Sequence, residues 1–137
     1  MYEFAGFFAR PAVPRPLLLC PDVVWREIDS PFHGIGVRLP VVDRDILPTP
    51  SDVEALARQC GLEAAECWVY LNYVCWGGHI DFVYGIGCRR GMRFGPVQED
   101  AQDLVEAAYI GLMEQFGLSA AVAMKFEPFR RGYWGEA

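Results

Sequence analysis

A chain of 137 residues closes one hydrophobic core and is too short for two ordinary domains, so we read residues 1–137 as a single domain. With 53% hydrophobic and 14% aromatic residues against 22% charged, it carries enough apolar surface to offset chain entropy, which excludes intrinsic disorder. The formal net charge is −6 and Arg supplies eleven of the twelve basic residues, so there is no Lys-rich surface to neutralise phosphates; nucleic acid is not an expected partner, and a basic protein is.

No run approaches the ~20 apolar residues that a membrane-spanning helix needs. Residues 1–10 lack a basic start, carry Glu3 within their apolar stretch and meet Pro11 early, so no secretory signal and no membrane partner are expected. Cys20, Cys60, Cys67, Cys75 and Cys88 are odd in number and form no C-x-x-C pair. The expectation is reduced thiols in a cytoplasmic protein.

Residues 2–10 (YEFAGFFAR) are aromatic and bounded by Pro11, which predicts a first strand. The β-branched runs 23–29 and 35–39, separated by Ser30, Pro31, Phe32, His33 and Gly34, predict a hairpin with a longer loop. After a connector at 40–50, Ser51 and Glu54 have the spacing of a capping box, and Val53, Leu56, Ala57 and Cys60 recur at helical intervals before Gly61. These features predict a one-faced helix over about 51–60.

Residues 67–76 and 79–88 are two strand-like runs joined by Gly77 and Gly78, the strongest local pattern in the chain. A two-residue turn there places Trp76 opposite His79 and makes each pair of residue numbers sum to ~155 along the ladder. One face then holds Cys75, Tyr73, Phe82, Leu71 and Tyr84, with Cys67 opposite Cys88, as the core. The other holds Trp68, Tyr70, Asn72, Trp76, His79 and Asp81, with Gly85 under Tyr70 and Gly87 under Trp68. A short strand around Met92 and Phe94, a second helix over about 100–116 ending at Gly117, a last strand over 120–127 and a tail at 128–137 complete the reading. The predicted fold class is α+β: an antiparallel sheet containing the central 67–88 hairpin, covered on one face by both helices.

The sequence offers little catalytic machinery. Gly85, Gly87 and Gly91 follow a strand but open no helix, which speaks against a phosphate loop. With only His33 and His79 in the chain, neither a metal set nor a nucleophile–base pair is expected; the expected catalytic residues, metal and cofactor are none. Between Arg93 and Lys125 there is no basic residue, whereas Glu99, Asp100, Asp103, Glu106 and Glu114 all fall there. Such acids complement a helix N-terminus, and they also suit a basic partner. The tail residues Phe126, Phe129, Tyr133 and Trp134 are expected to pack back on the domain. Trp68, Tyr70, Asn72, Trp76, His79 and Asp81, with Asp103 and Glu106, form the candidate partner-binding set, because Trp and Tyr anchor interfaces with few rotors. The competing reading buries that face beneath another segment.

Phe4-Ala5-Gly6-Phe7-Phe8, then Ser30-Pro31-Phe32-His33-Gly34-Ile35-Gly36, then Gly77-Gly78-His79-Ile80-Asp81 in its aromatic hairpin together resemble small bacterial immunity proteins that neutralise polymorphic or contact-delivered toxins. The resemblance implies a non-enzymatic, acidic, cytoplasmic protein that binds one cognate toxin domain and blocks it. It transfers no residue role to a numbered position. Two alternatives stay open: a small-molecule-binding domain or small enzyme with a pocket at the aromatic sheet face, using His79 and Asp81, and a homo-oligomeric structural protein that buries that face between copies.

Overall fold

The computed structural model describes residues 1–16 and 22–135. Its frame is an antiparallel sheet of six strands, β1 Tyr2–Arg10, β2 Val24–Ile28, β3 Gly34–Arg38, β4 Cys67–Trp76, β5 His79–Arg89 and β6 Met92–Glu99, in the spatial order β2-β3-β1-β4-β5-β6. Helix α1 spans Pro50–Gln59, α2 Val105–Phe116 and α3 Ala120–Met124. This is the α+β class that the sequence predicts. The cysteine reading includes Cys20, which lies outside the described residues.

Period-two alternation sends β1 to both sides at once. Phe4 and Phe8 join α2, α3 and the C-terminal aromatics in one core, while Phe7 and Ala9 join Val53, Ala57 and Cys60 of the α1 region in another. The two helices therefore lie on opposite faces, and the expectation that both cover one face is corrected. Both sides of β1 and β4 are apolar, so a single helical layer would leave half of that surface in water.

The 67–88 hairpin turns at Gly77 and Gly78 as expected, both at positive φ, with Trp76 opposite His79 and Cys75 opposite Ile80. Beyond that a bulge shifts the register by one, so that Val74 meets Phe82, Tyr73 meets Val83, Trp68 meets Cys88 and Cys67 meets Arg89. Tyr73 and Phe82 consequently face opposite sides, and so do Cys67 and Cys88. The predicted Cys67–Cys88 pairing is corrected by one residue of slip, which exchanges the faces of β5 from Phe82 onward. The shift also overturns the predicted covers of Gly85 and Gly87. A Cβ at Gly85 would lie 2.5 Å from Leu112 Cδ1 of α2, and one at Gly87 would run into the Phe94 ring.

Gly34-Ile35-Gly36 and Gly85-Ile86-Gly87 play matching parts. Both isoleucines enter the α1-side core, and the glycines open the other face to close approach: Leu112 lies over Gly85, and Trp134 lies over Gly36 with Cη2 2.6 Å from a Cβ placed there.

Three local expectations also change. The capping box of α1 is Thr49 with Asp52, whose side chain and backbone exchange two 3.1 Å hydrogen bonds; Pro50 sits just inside the start, so the helix begins before Ser51. Helix α2 begins at Val105 rather than near 100, because β6 runs on to Glu99 and residues 102–104 turn. Residues 120–124 form α3 instead of a strand: the Ser119 hydroxyl accepts from Val122 N–H, and the Ala-rich run favours the helix. The C-terminal segment packs back as expected, with Phe126 and Trp134 buried and Trp134 Nε1–H donating to the Pro128 carbonyl at 2.9 Å.

Candidate functional site

The fold divides the sequence-predicted contact residues into two groups. Trp68, Tyr70 and Asn72 are buried on the α1 face of β4. Trp68 and Tyr70 both pack edge-on against Phe7. Their exposure as a contact face is therefore corrected: the bulge and α1 together make them core. Trp76 and His79 stay exposed at the hairpin tip, with Trp76 60% accessible.

The tip is tied to the start of α2. Gln102 Nε2 lies 3.5 Å from the Ile80 carbonyl and 3.5 Å from Asp81 Oδ1, and the exposed Asp103 and Glu106 follow it in the chain. Strand ends place Glu3, Asp81 and Glu99 at this same end of the sheet, while Arg10, Arg89, Arg90 and Arg93 lie toward the other. There Arg89 Nη1 donates to the Gln115 carbonyl and the Arg10 guanidinium stands 5.1 Å from the Phe116 ring centroid, both at the negative end of α2. Arg90 pairs with Glu66 and Arg93 with Glu54. Arg38, whose guanidinium donates to the Glu3 backbone carbonyl at 3.0 Å, and Arg44 also lie at the Glu3 end, where the carboxylates of Glu3, Asp43, Asp45, Asp81 and Glu99 outnumber them; this acidic end carries the exposed tryptophan.

A second feature lies where sequence reasoning saw only a connector. Residues 39–48 pass across the α1 face beyond the helix, with the Tyr84 hydroxyl donating to the Pro48 carbonyl at 2.7 Å and the Arg44 guanidinium 4.5 Å above the Phe82 ring. Two cavities flank this strap. One, of about 610 Å³, is mainly apolar, with Val42, Ile46, Leu47, Leu56 and Tyr70 among its walls. The other, of about 620 Å³, is lined by Glu3, Asp43, Arg44, Asp45, Asn72 and Phe82 among others. The available signal was the charged triplet Asp43-Arg44-Asp45 set between apolar pairs, a pattern that a solvated loop does not need.

Asn72 links the two cavities. It is the one buried side chain among the described residues that is neither apolar nor aromatic, and its Nδ2 donates to Tyr70 Oη at 2.7 Å. Burial raises the Tyr70 hydroxyl to about 12, opposed by the Asn72 hydrogen bond, so Tyr70 stays neutral at physiological pH. Among the described residues no group of three or more His, Cys, Asp and Glu side chains is placed to hold a metal ion, and no helix is long and apolar enough to cross a membrane. No family model, curated protein or solved structure matches the chain.

Proposed function

We propose that this protein is a non-enzymatic binding module, an immunity protein that holds a cognate toxin domain through the acidic end of its sheet and blocks it. The observation that carries the reading is Trp76, a large aromatic that the fold leaves 60% accessible at a two-residue turn, beside Asp81 and the acidic approach to α2. An exposed indole contributes little to folding and much to association. Covering an accessible area of roughly 120 Å², taken from a side chain that buries about 150–250 Å² in full, is worth ~3 kcal/mol at ~25 cal/mol/Å². Asp81, Asp103 and Glu106 supply the opposite contribution, speeding and orienting the approach of a basic surface rather than holding it. The net charge of −6 acts in the same direction.

Gentle purification of the full chain from its native host tests this reading. The expected result is a stoichiometric protein of basic surface whose toxic activity is suppressed by added chain. Recovery of a tightly held metabolite with no protein partner would overturn it in favour of a small-molecule-binding domain, a reading that the 610 Å³ apolar cavity beside Tyr70 supports. A mass that doubles with concentration and covers Trp76 would favour self-association instead.

A further inference from the structure

We infer that the 620 Å³ cavity beside the strap seats an arginine side chain of the protein partner, with Asn72 at its floor; this rests on the reading of a basic partner given above. Its volume lies within the range of roughly 300–1,000 Å³ typical of built ligand sites. The walls come from three separate parts of the chain: Glu3 of β1, Asn72 and Val74 of β4 with Phe82 of β5, and Asp43, Arg44 and Asp45 of the strap.

The floor is what distinguishes this cavity from a fold in the surface. Asn72 is only 4% accessible, and its one hydrogen bond among the described residues uses Nδ2 as donor. Among the described residues no fully buried side-chain nitrogen or oxygen lacks a partner, so the Asn72 carbonyl Oδ1, which accepts nothing within the protein, opens onto the cavity it lines. Leu or Val would fill the same place without a polar atom, whereas the amide oxygen presents an acceptor at the cavity floor that a ligand donor can use.

The charges select the donor. Three carboxylates, Glu3, Asp43 and Asp45, line the cavity with one cation, Arg44, which is stacked on Phe82, while Arg38 is held next to Glu3 by its bond to the Glu3 backbone carbonyl. Asp43 is engaged by the Asp45 backbone N–H at 3.0 Å, whereas Glu3 and Asp45 form no ion pair among the described residues. The cavity is therefore lined by two carboxylates outside any ion pair among the described residues and by the Asn72 carbonyl. A guanidinium meets it with a planar fork of five N–H donors, enough to bridge a carboxylate and still reach Oδ1; a lysine ammonium is a compact point charge on a flexible stem and spans such a set less well. An arginine entering here would lie beside the hairpin tip, so Trp76 and the cavity would grip neighbouring parts of one partner surface.

The test needs no partner. The full-length protein, labelled with ¹⁵N, is titrated with N-acetyl-L-arginine amide, whose only charge is the guanidinium, and with the matching citrulline compound, which lacks it. Saturable shifts centred on the Asn72 side-chain amide and on residues 41–45, 74 and 82 are expected for the arginine compound alone. The double variant Glu3→Gln, Asp45→Asn, confined to residues outside the core, should weaken that binding at least fivefold. Equal binding of citrulline, undiminished binding by the double variant, or shifts that never saturate and spread over Asp103 and Glu106 would each overturn the assignment. Failure here with Trp76-dependent capture of a basic partner intact removes the arginine seat and leaves the binding module standing; arginine binding with no basic partner captured overturns the binding module and leaves a guanidinium site without a partner to fill it.

Discussion

Replacing Gly87 by Ala adds one methyl group, and the structure fixes where it goes. A Cβ at this position would meet the Phe94 ring and come within 2.6 Å of the Trp68 carbonyl oxygen, in the paired heart of β4 and β5. The ring belongs to an edge strand and can swing; the carbonyl belongs to a central strand and cannot. Overpacking of this kind costs typically 1–3 kcal/mol, and a backbone obstacle puts Gly87→Ala near the upper figure. With about 2.1 cal/mol/K of unfolding entropy per residue, a chain of 137 residues loses roughly 3.5 °C of Tm per kcal/mol. The expected drop is therefore ~10 °C. Gly111→Ala makes the internal comparison, because a Cβ there meets nothing within 4 Å and the residue lies inside α2. Relief of the helical glycine penalty of about 0.5–1 kcal/mol should raise Tm by roughly 2–3 °C. Thermal unfolding followed by circular dichroism reads both. A Tm for Gly87→Ala within 2 °C of the parent, as an order-of-magnitude margin, would refute the packing argument.

Trp76→Ala should leave Tm within about 2 °C, since the tip supports little core, while raising the dissociation rate of a captured partner at least tenfold, about 1.4 kcal/mol, by surface plasmon resonance. A large loss of Tm with unchanged dissociation would contradict the role of Trp76 as an anchor. Cys67 is buried and its thiol is pushed up to about 11, mainly by desolvation and against the pull of Arg10 and Arg89. At pH 8 only about a thousandth of it is ionised, so iodoacetamide should label the half-buried Cys75 and Cys88 well before Cys67 in native protein, as mass spectrometry would show. Burial raises Tyr70 to about 12 and moves Tyr73 and Tyr109 higher still. The unfolded chain releases these protons near pH 10, so the native state holds more protons above that point and stability falls as pH rises from about 10 through 12. Tm should be nearly level in this respect below pH 9 and decline steeply above 10. A flat profile to pH 12 would show those hydroxyls to be solvated.

Local pattern carried the reading of the sheet a long way and then stopped for a definable reason. Gly77-Gly78 specifies its turn by conformational freedom, and the two Ile-centred strands declare themselves by alternation. The bulge opposite Val74 and Cys75 leaves Asp81 out of the ladder, and although Asp is a poor strand former, a single polar residue in an alternating run reads equally well as one on an exposed face. Which of Phe82 and Val83 turns toward α1 is decided by the space that α1 and α2 leave. The same limit governed the candidate site: Trp68-x-Tyr70-x-Asn72 mixes aromatic and polar groups as an exposed face does, but here a helix covers Trp68 and Tyr70, and a strap encloses Asn72. Residues 120–127 misled for the opposite reason, since apolar Ala-Ala-Val-Ala fits either element until the Ser119 cap is considered.

The indole seated over Gly36 has a bearing on how the chain reaches its native state. Trp134 fills space beside a strand laid down in the first third of the sequence, and Tyr2 Oη–H donates to the Pro128 carbonyl across a separation of 126 residues. Closure between such distant segments is entropically slow and rewards the chain only when nearly everything between them is in place. The N-terminal hairpin accordingly has no finished form of its own. Proteolytic fragments lacking residues 126–134 should collapse without acquiring fixed packing, and the domain should melt as one cooperative unit rather than strand by strand.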